Sequence, residues 1–308
     1  MTGRSRLTWS FPTYLQEYST ISASLPRVPL AGPAIGLPRW TAMLPEFIAS
    51  EPRVTEITLH KYPLQLCYIP PSWSIYPSIP HLLSPEAATG LAESVAPDVR
   101  LAHANGLRIR IDEMNTISCG QAQTIGKSFA TALWALNTLF AFARVGVDGI
   151  NMHTYVGSSY ALFRFHDHGG AWAGIVNPEY YGMLMFAQAA PPHSRLLRIA
   201  GARRAGVDAW ATRAHGGVVR VVLINDGEDE RLINLHVRGV AGDGTVEQLI
   251  APSLGSRFGV TLGGHGFGQR TTTGLLPAPD LHSVVAVRGS YPVSVPGDSA
   301  VLLTFHPG

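Results

Sequence analysis

Polar side chains follow three successive strand-like segments of the sequence, at the point where each segment ends. In chain order they are His60 with Tyr62, Asp112 with Glu113, and His153 with Tyr155. The carboxyl ends of parallel strands meet at one edge of a sheet, which is where barrel enzymes keep their active sites. We therefore expect these side chains to outline one side of a pocket for a hydroxylated ligand.

Glu113 is the candidate nucleophile of this pocket, because a carboxylate held at a strand end can attack an electrophilic carbon. The structural alternative is that Asp112 or Glu113 caps the following turn or pairs with Arg110. Strict strand alternation would place Glu113 on the same face as Ile109 and Ile111, unless a β-bulge shifts the phase.

Other chemistries have weaker support in the sequence. His166 and His168 have a spacing seen at metal sites, but no His-Glu-x-x-His motif accompanies them, and we expect them in a solvated glycine-rich loop. No Gly-x-Ser-x-Gly elbow supports a serine nucleophile. The glycine-rich stretch at 263–268 lacks the strand-to-helix context of a phosphate loop. The sequence therefore predicts neither a metal nor a cofactor.

Composition narrows the class of protein and of partner. The 308-residue chain is 46% hydrophobic and 14% charged with a net charge of +2, which allows a large core and gives no reason to expect nucleic acid as a partner. Without a long apolar run we expect no membrane span. The first residues lack the apolar core of a secretory signal, which leaves the cellular location unknown. Cys67 and Cys119 could pair, but we expect two reduced, partly buried thiols.

The predicted secondary structure changes near residues 191–192, and the candidate residues all lie before this point. Before this point strand-like and helix-like segments alternate four times, which predicts βα units and a parallel sheet. The predicted helices cover 11–25, 38–50, 85–104, 124–144 and 178–189. After it, short β-rich runs between Gly, Pro and Asp turns predict an antiparallel β-sandwich. We therefore expect a barrel-type domain at 1–191 and a sandwich domain at 192–308.

Three segments carry a pattern that is specific only when they are taken together. They are RIDEMNTISCG at 110–120, ALWALNTLF at 132–140 and GVDGINMH at 146–153. With the tail segments 249–253, 259–264 and 291–296, they resemble glycoside hydrolase family 79, which contains β-glucuronidases and heparanase-like enzymes. The resemblance covers nearly the whole chain. It implies a (β/α)8 TIM barrel followed by a β-sandwich, and a retaining mechanism with two carboxylates.

The resemblance also assigns roles to individual residues. Glu113 corresponds to the nucleophile, and Tyr62 matches an aromatic position whose hydroxyl could hold the nucleophile's carboxylate. Tyr155 or Tyr160 could contact the carboxylate of the sugar. The implied substrate is a β-linked uronic acid glycan or glycoside. The alternatives are a glycosidase of a neighbouring barrel family with another sugar preference, and a noncatalytic carbohydrate-binding or scaffold protein.

The family's second carboxylate, the acid/base, lies in an Asn-Glu motif after the fourth barrel strand. The resemblance places strands five to eight in this sequence and the earlier strands, with the acid/base, outside it. We therefore expect a half-barrel whose open edge strands invite self-association, and a loss of about 10²–10⁴-fold in rate without the acid. The sequence is then part of a longer protein read from an internal start, a fragment that folds with another chain, or an inactive remnant.

Overall fold

The computed structural model describes residues 10–120, 122, 124–240 and 242–308, and the chain forms two compact units. The first unit groups Met1–Tyr62, Leu91–Asn115 and Val145–His153. The second groups Pro63–Gly90, Thr116–Arg144 and Thr154–Gly308. The domain boundary that the sequence predicts at 191–192 stays a prediction. Among the described helices, none has both the length and the apolar character needed to cross a membrane.

The secondary structure mixes short and long elements. The helices are α1 (Phe11–Ser24), α2 (Pro38–Thr41), α3 (Leu44–Ser50), α4 (Ile79–Leu82), α5 (Thr89–Glu93), α6 (Ala96–Ala104), α7 (Ala130–Val145), α8 (Glu179–Ala189) and α9 (Ala202–Ala205). The strands are β1 (Leu30–Ile35), β2 (Val54–Lys61), β3 (Leu64–Gln65), β4 (Arg108–Met114), β5 (Ile117–Ser118), β6 (Gly149–Met152), β7 (Phe163–His168), β8 (Ala171–Val176), β9 (Arg195–Leu196), β10 (Asp208–Arg213), β11 (Val219–Asn225), β12 (Arg231–Leu235), β13 (Gly244–Ile250), β14 (Thr261–Leu262), β15 (His282–Val284), β16 (Tyr291–Val295) and β17 (Ser299–Phe305).

The first unit is built on a parallel sheet with the strand order β1-β2-β4-β6. β-Branched and aliphatic residues on one face of the central strands, such as Ile57, Leu59 and Ile109, are fully buried, which is the arrangement that favours a strand. The parallel sheet expected from the sequence is confirmed, and the carboxyl ends of its strands share one edge. That these strands are the fifth to eighth of a barrel remains a prediction.

The second unit contains the antiparallel sheets expected from the sequence. The larger sheet has the order β14-β13-β17-β11-β10-β9, with β15 pairing β13. Strands β12 and β16 pair with each other and face the larger sheet across a core that includes Val221, Val293 and Leu303. Helix α8 packs on β11 and β13.

Several predicted elements have different bounds in the structure. The helix predicted at 85–104 is a short 3-10 turn followed by α5 and α6, and a proline lies in the first turn of α6, where the absence of an N–H favours a helix start. The helix predicted at 124–144 begins only at Ala130. The expectation that His166 and His168 lie in a loop is wrong, because both belong to β7 of the β7–β8 hairpin.

The expectation of two reduced cysteines is also wrong. Cys67 and Cys119 form a disulfide, with their Cα atoms 5.4 Å apart. The reason is the parallel pairing of β3 with β5, which brings the two chain segments side by side immediately before the cysteines. The Cys67 N–H also donates to the carbonyl of Cys119 at 3.0 Å. A separation of 52 residues in the sequence gave no sign of this pairing.

Candidate active site

A β-bulge at the end of β4 decides where its two carboxylates lie. Relative to β2 the pairing passes from Leu59 with Ile111 directly to His60 with Glu113, so Asp112 is one extra residue. The buried face that carries Ile111 is therefore continued by Met114 rather than by Glu113. Both Asp112 and Glu113 stay partly exposed, and the Glu113 side chain is 36% accessible.

Tyr62 holds one oxygen of the Glu113 carboxylate. The Tyr62 hydroxyl donates to Glu113 Oε1 at 2.8 Å and lies 2.8 Å from His153 Nδ1. Because a phenol has a single proton and gives it to the carboxylate, the Nδ1 of His153 must supply the proton of the second bond. The result is a chain of hydrogen bonds from the His153 N–H through the Tyr62 hydroxyl to Glu113, which fixes the His153 tautomer.

His60 lies between the two carboxylates of the bulge. Its Nε2 is 3.5 Å from Asp112 Oδ2, and its Nδ1 is 3.5 Å from Glu113 Oε2. The hydrogen bond to Asp112 and the negative charges of both carboxylates raise the pKa of His60, although partial burial opposes the rise. Glu113 is therefore approached on one oxygen by a hydroxyl and on the other by a readily protonated imidazole.

The backbone at the strand ends is tied together by hydrogen bonds. The His153 N–H donates to the carbonyl of Met114 at 2.7 Å, and Asn115 Nδ2 donates to the carbonyl of His153 at 2.9 Å. These bonds continue the β4–β6 pairing beyond the bulge and fix His153 relative to Glu113. The position of Asn115 directly after the two carboxylates is the signal in the sequence that could have indicated this role.

A polar cluster supports the same strands closer to their amino ends. Arg110 donates to Glu56 Oε2 at 3.3 Å and to Asn151 Oδ1 at 3.0 Å. The alternative pairing of Arg110 with the candidate carboxylates is therefore not what the structure shows. Gly149 leaves room for this guanidinium, because a Cβ at that position would lie 2.5 Å from Arg110 Cζ.

Lys61 does not contribute to the candidate active site, although it lies between His60 and Tyr62 in the sequence. Alternation along β2 directs it away from the other two side chains. Burial lowers the pKa of Lys61, and the charge of Asp98 on α6 opposes that shift. Burial likewise raises the pKa of Asp98, with Lys61 opposing. The opposite charges of Lys61 and Asp98 therefore stabilise each other, and neither residue is a candidate for the active site.

Tyr155 and Tyr160 belong to the second unit, whereas the other candidate residues belong to the first. Their rings meet edge to face, with centroids 6.3 Å apart. Tyr155 is 51% exposed and Tyr160 is 8% exposed, so Tyr155 presents the larger surface to a ligand. Their roles as substrate contacts stay predictions.

Comparison with known proteins gives structural matches alone. No protein-family model matches the chain, and no curated protein matches it. A 4-O-α-L-rhamnosyl-β-D-glucuronidase from Fusarium oxysporum 12S has a TM-score of 0.77 at 17% identity, over 95% of this chain and 63% of that one. A GH51 arabinofuranosidase from Xanthomonas axonopodis pv. citri has a TM-score of 0.67 at 14% identity, over 97% and 63%. The chain thus has a fold shared by glycoside hydrolases.

Further matches widen the range of enzymes that share this fold. A GH39 enzyme from Xanthomonas axonopodis pv. citri has a TM-score of 0.57 at 15% identity, over 97% of this chain and 65% of that one. This chain spans less than two thirds of the length of each of the three structures. At these identities the similarity establishes the fold and leaves the reaction to be argued from the site.

Proposed function

We propose that this chain belongs to a retaining glycoside hydrolase of the β-glucuronidase type, with Glu113 as the nucleophile. The observation that carries the proposal is the setting of Glu113 at the carboxyl end of β4. The Tyr62 hydroxyl holds its Oε1 at 2.8 Å, while the side chain keeps 36% of its surface accessible. A held, exposed carboxylate at this edge of a parallel sheet is suited to attack on a sugar.

The proposed reaction proceeds in two displacements. A Glu113 carboxylate oxygen attacks the anomeric carbon, the glycosidic C–O bond breaks, and its electron pair leaves with the departing oxygen. Water then attacks the same carbon, the ester bond to Glu113 breaks to restore the carboxylate, and the acid/base group accepts the released proton of the water. Tyr62 would orient the carboxylate in both steps by keeping one oxygen hydrogen-bonded and the other directed to the substrate.

We assign the acid/base role to a carboxyl group that does not lie at the carboxyl ends of β1, β2, β4 and β6. A retaining enzyme needs a second carboxyl about 5–5.5 Å from the nucleophile. Among the described residues at the carboxyl ends of β1, β2, β4 and β6, the other carboxylate is Asp112, which is engaged by His60. Asp112 is therefore assigned to holding His60.

The preference for a β-linked uronic acid is the finer part of the proposal. Its support is the resemblance of 110–120, 132–140 and 146–153 to family 79, together with the glucuronidase among the matched structures. The exposed Tyr155 is proposed to contact the sugar, with Tyr160 supporting it from behind.

The test uses 2,4-dinitrophenyl β-D-glucuronide, whose leaving group departs without being protonated. Its cleavage therefore reports on the nucleophile independently of the acid. We expect a burst of about one equivalent of dinitrophenolate from the chain, no burst from Glu113→Gln, and an unchanged burst from the control Glu46→Gln, which alters an exposed carboxylate. A faster burst from the corresponding glucoside or arabinofuranoside would reject the uronic acid preference.

The noncatalytic alternative makes a different prediction for the same proteins. A carbohydrate-binding protein would bind the glucuronide equally well as wild type and as Glu113→Gln, and it would release no dinitrophenolate from either. That outcome would reject the proposed hydrolase activity in favour of carbohydrate binding without catalysis.

A further inference from the structure

The β domain of the second unit contains a cavity that the proposed reaction does not use. It has a volume of about 740 Å³ and lies between β12 and the face of the larger sheet formed by β10 and β11. That volume is within the range of pockets that bind small molecules. The cavity exists because β12 and β16 cover only part of the larger sheet, and because β10 contributes small residues.

The walls of this cavity are aliphatic. Alternate residues of β10 and β11 face it, namely Ala209, Ala211, Val219, Val221 and Leu223, together with Val207 immediately before β10. Ile233 and Leu235 of β12 close the opposite side. The described lining residues include no Phe, Tyr or Trp on which a sugar ring could stack, and the aliphatic part of the lining is well suited to a flexible hydrocarbon chain.

The charged groups of the lining all have one sign. Arg198, Arg213 and Arg238 line the cavity together with His236, and no carboxylate is among the lining residues that the structure describes. Arg198, Arg238 and His236 are exposed to solvent, whereas Arg213 is partly buried. Since a cation beside an apolar cavity is costly without a counter-charge, the position of Arg213 favours an anionic occupant.

Arg213 is the lining cation that has a buried nitrogen without a hydrogen-bond acceptor. One of its terminal nitrogens, Nη2, donates to the carbonyl of Arg238 at 3.1 Å. Its Nε is buried and meets no hydrogen-bond acceptor among the described residues. Its neighbour across the β10–β9 pair is Arg195, a like charge that a directly opposite position makes unfavourable. A bound anion would satisfy the Nε and offset the repulsion.

We propose that this cavity binds an anionic amphiphile, a molecule with an unbranched hydrocarbon chain and a single carboxylate. The chain fills the space above Ala209 and Ala211, and the carboxylate pairs with the guanidinium of Arg213. The proposal stands on the second unit alone and does not depend on the proposed glycosidase activity.

The experiment measures binding of decanoate to the full chain by calorimetry at pH 8, below the concentration at which micelles form. Decyltrimethylammonium and 1-decanol carry the same chain with opposite charge and with none. We expect one decanoate per chain, bound at least about tenfold more tightly than either probe, because a charge-assisted pair contributes about tenfold or more in affinity.

Two variants and a matched control locate the site. Arg213→Met is expected to weaken decanoate binding about tenfold or more, and Ala209→Phe, which fills the cavity, to abolish it. Arg220→Met is the control, because Arg220 lies on the opposite face of β11 and should leave the affinity unchanged. Circular dichroism confirms that each variant is folded.

Three results would overturn the proposal. The first is the absence of decanoate binding at millimolar concentration. The second is equal binding of all three probes, which would show an unselective apolar surface of the kind that a further polypeptide segment would cover. The third is affinity that survives both Arg213→Met and Ala209→Phe, which would place the decanoate elsewhere.

Discussion

Replacing Tyr62 by phenylalanine removes a single hydroxyl from the centre of the candidate site. In the native chain this hydroxyl donates to Glu113 Oε1 and accepts from His153 Nδ1, at 2.8 Å in each case. Without it, Glu113 Oε1 and His153 Nδ1 face each other at 3.7 Å, which is too long for a direct hydrogen bond. The variant therefore frees the carboxylate to rotate while the aromatic ring stays in place.

The size of the effect follows from the kind of bond that is lost. A hydrogen bond to a charged group contributes about 1.5–3 kcal/mol, and about 1.4 kcal/mol corresponds to a factor of ten. Because the carboxylate is 36% exposed, water replaces part of the lost bond, and the lower end of that range applies. We expect the rate of the dinitrophenolate burst to fall about tenfold.

The assay is stopped-flow absorbance with saturating 2,4-dinitrophenyl β-D-glucuronide. The burst rate should fall, while the burst amplitude and the substrate concentration at half-maximal rate stay the same, since Tyr62 acts on the nucleophile rather than on binding. Tyr68→Phe is the matched control, because that tyrosine is 88% exposed. In a double-mutant cycle, His153→Ala should add little to Tyr62→Phe, because both interrupt one chain of hydrogen bonds. A burst rate within twofold of wild type, or additive losses in the cycle, would refute the hydrogen-bond chain.

Three further perturbations test the packing and the charges. Cys67→Ser should lower the free energy of unfolding by up to about 4 kcal/mol, since its bond to Cys119 closes a loop of 52 residues; urea unfolding measures the loss. His60→Gln should destabilise the chain more at pH 5.5 than at pH 8. The pKa of His60 is raised in the folded chain, so protonated His60 stabilises the fold fully below the pKa of a free histidine. This stabilisation is lost as the pH rises through the pKa of His60 in the folded state. Gly182→Ala should cost about 2–3 kcal/mol, because its Cβ would lie 2.0 Å from a backbone carbonyl oxygen of α7; Gly90→Ala, whose Cβ would meet nothing closer than 3.5 Å, is the control.

Each of these expectations can be contradicted by a definite result. Two titratable thiols in the native chain would show that Cys67 and Cys119 do not form a disulfide. Equal urea midpoints with and without reductant would contradict its contribution to stability. If the loss of stability in His60→Gln grew toward pH 8, the pKa of His60 would not be raised in the folded chain. Equal melting temperatures for the two alanine variants would show that the contact at Gly182 relaxes without cost.

The positions of the candidate residues were predictable from the sequence because they depend on local pattern. Alternating β-branched and polar residues at 54–60 and 107–113 place His60 and Glu113 at strand ends, and parallel strands bring those ends together. The roles of Tyr62 and His153 depend on distances of 2.8 Å, which no spacing in the sequence could give.

The features that were not predicted depend on pairing between distant segments. The bulge at Asp112 is a mismatch between β4 and both of its neighbours, so β4 read alone shows only regular alternation. The disulfide depends on β3 and β5, each of which is two residues long. The β7–β8 hairpin turns at Gly169 and Gly170, and the same glycines led to the expectation of a loop.

The most direct measurement is covalent trapping with 2,4-dinitrophenyl 2-deoxy-2-fluoro-β-D-glucuronide, followed by peptide mapping. The fluorine slows both the formation and the hydrolysis of the glycosyl ester, whereas the good leaving group speeds its formation alone, so the ester accumulates on the nucleophile. We expect one fluoroglucuronosyl group per chain, attached to Glu113 within the peptide that contains Asp112, and no label on Glu113→Gln. A label on Asp112, or unchanged labelling of Glu113→Gln, would show that Glu113 is not the nucleophile.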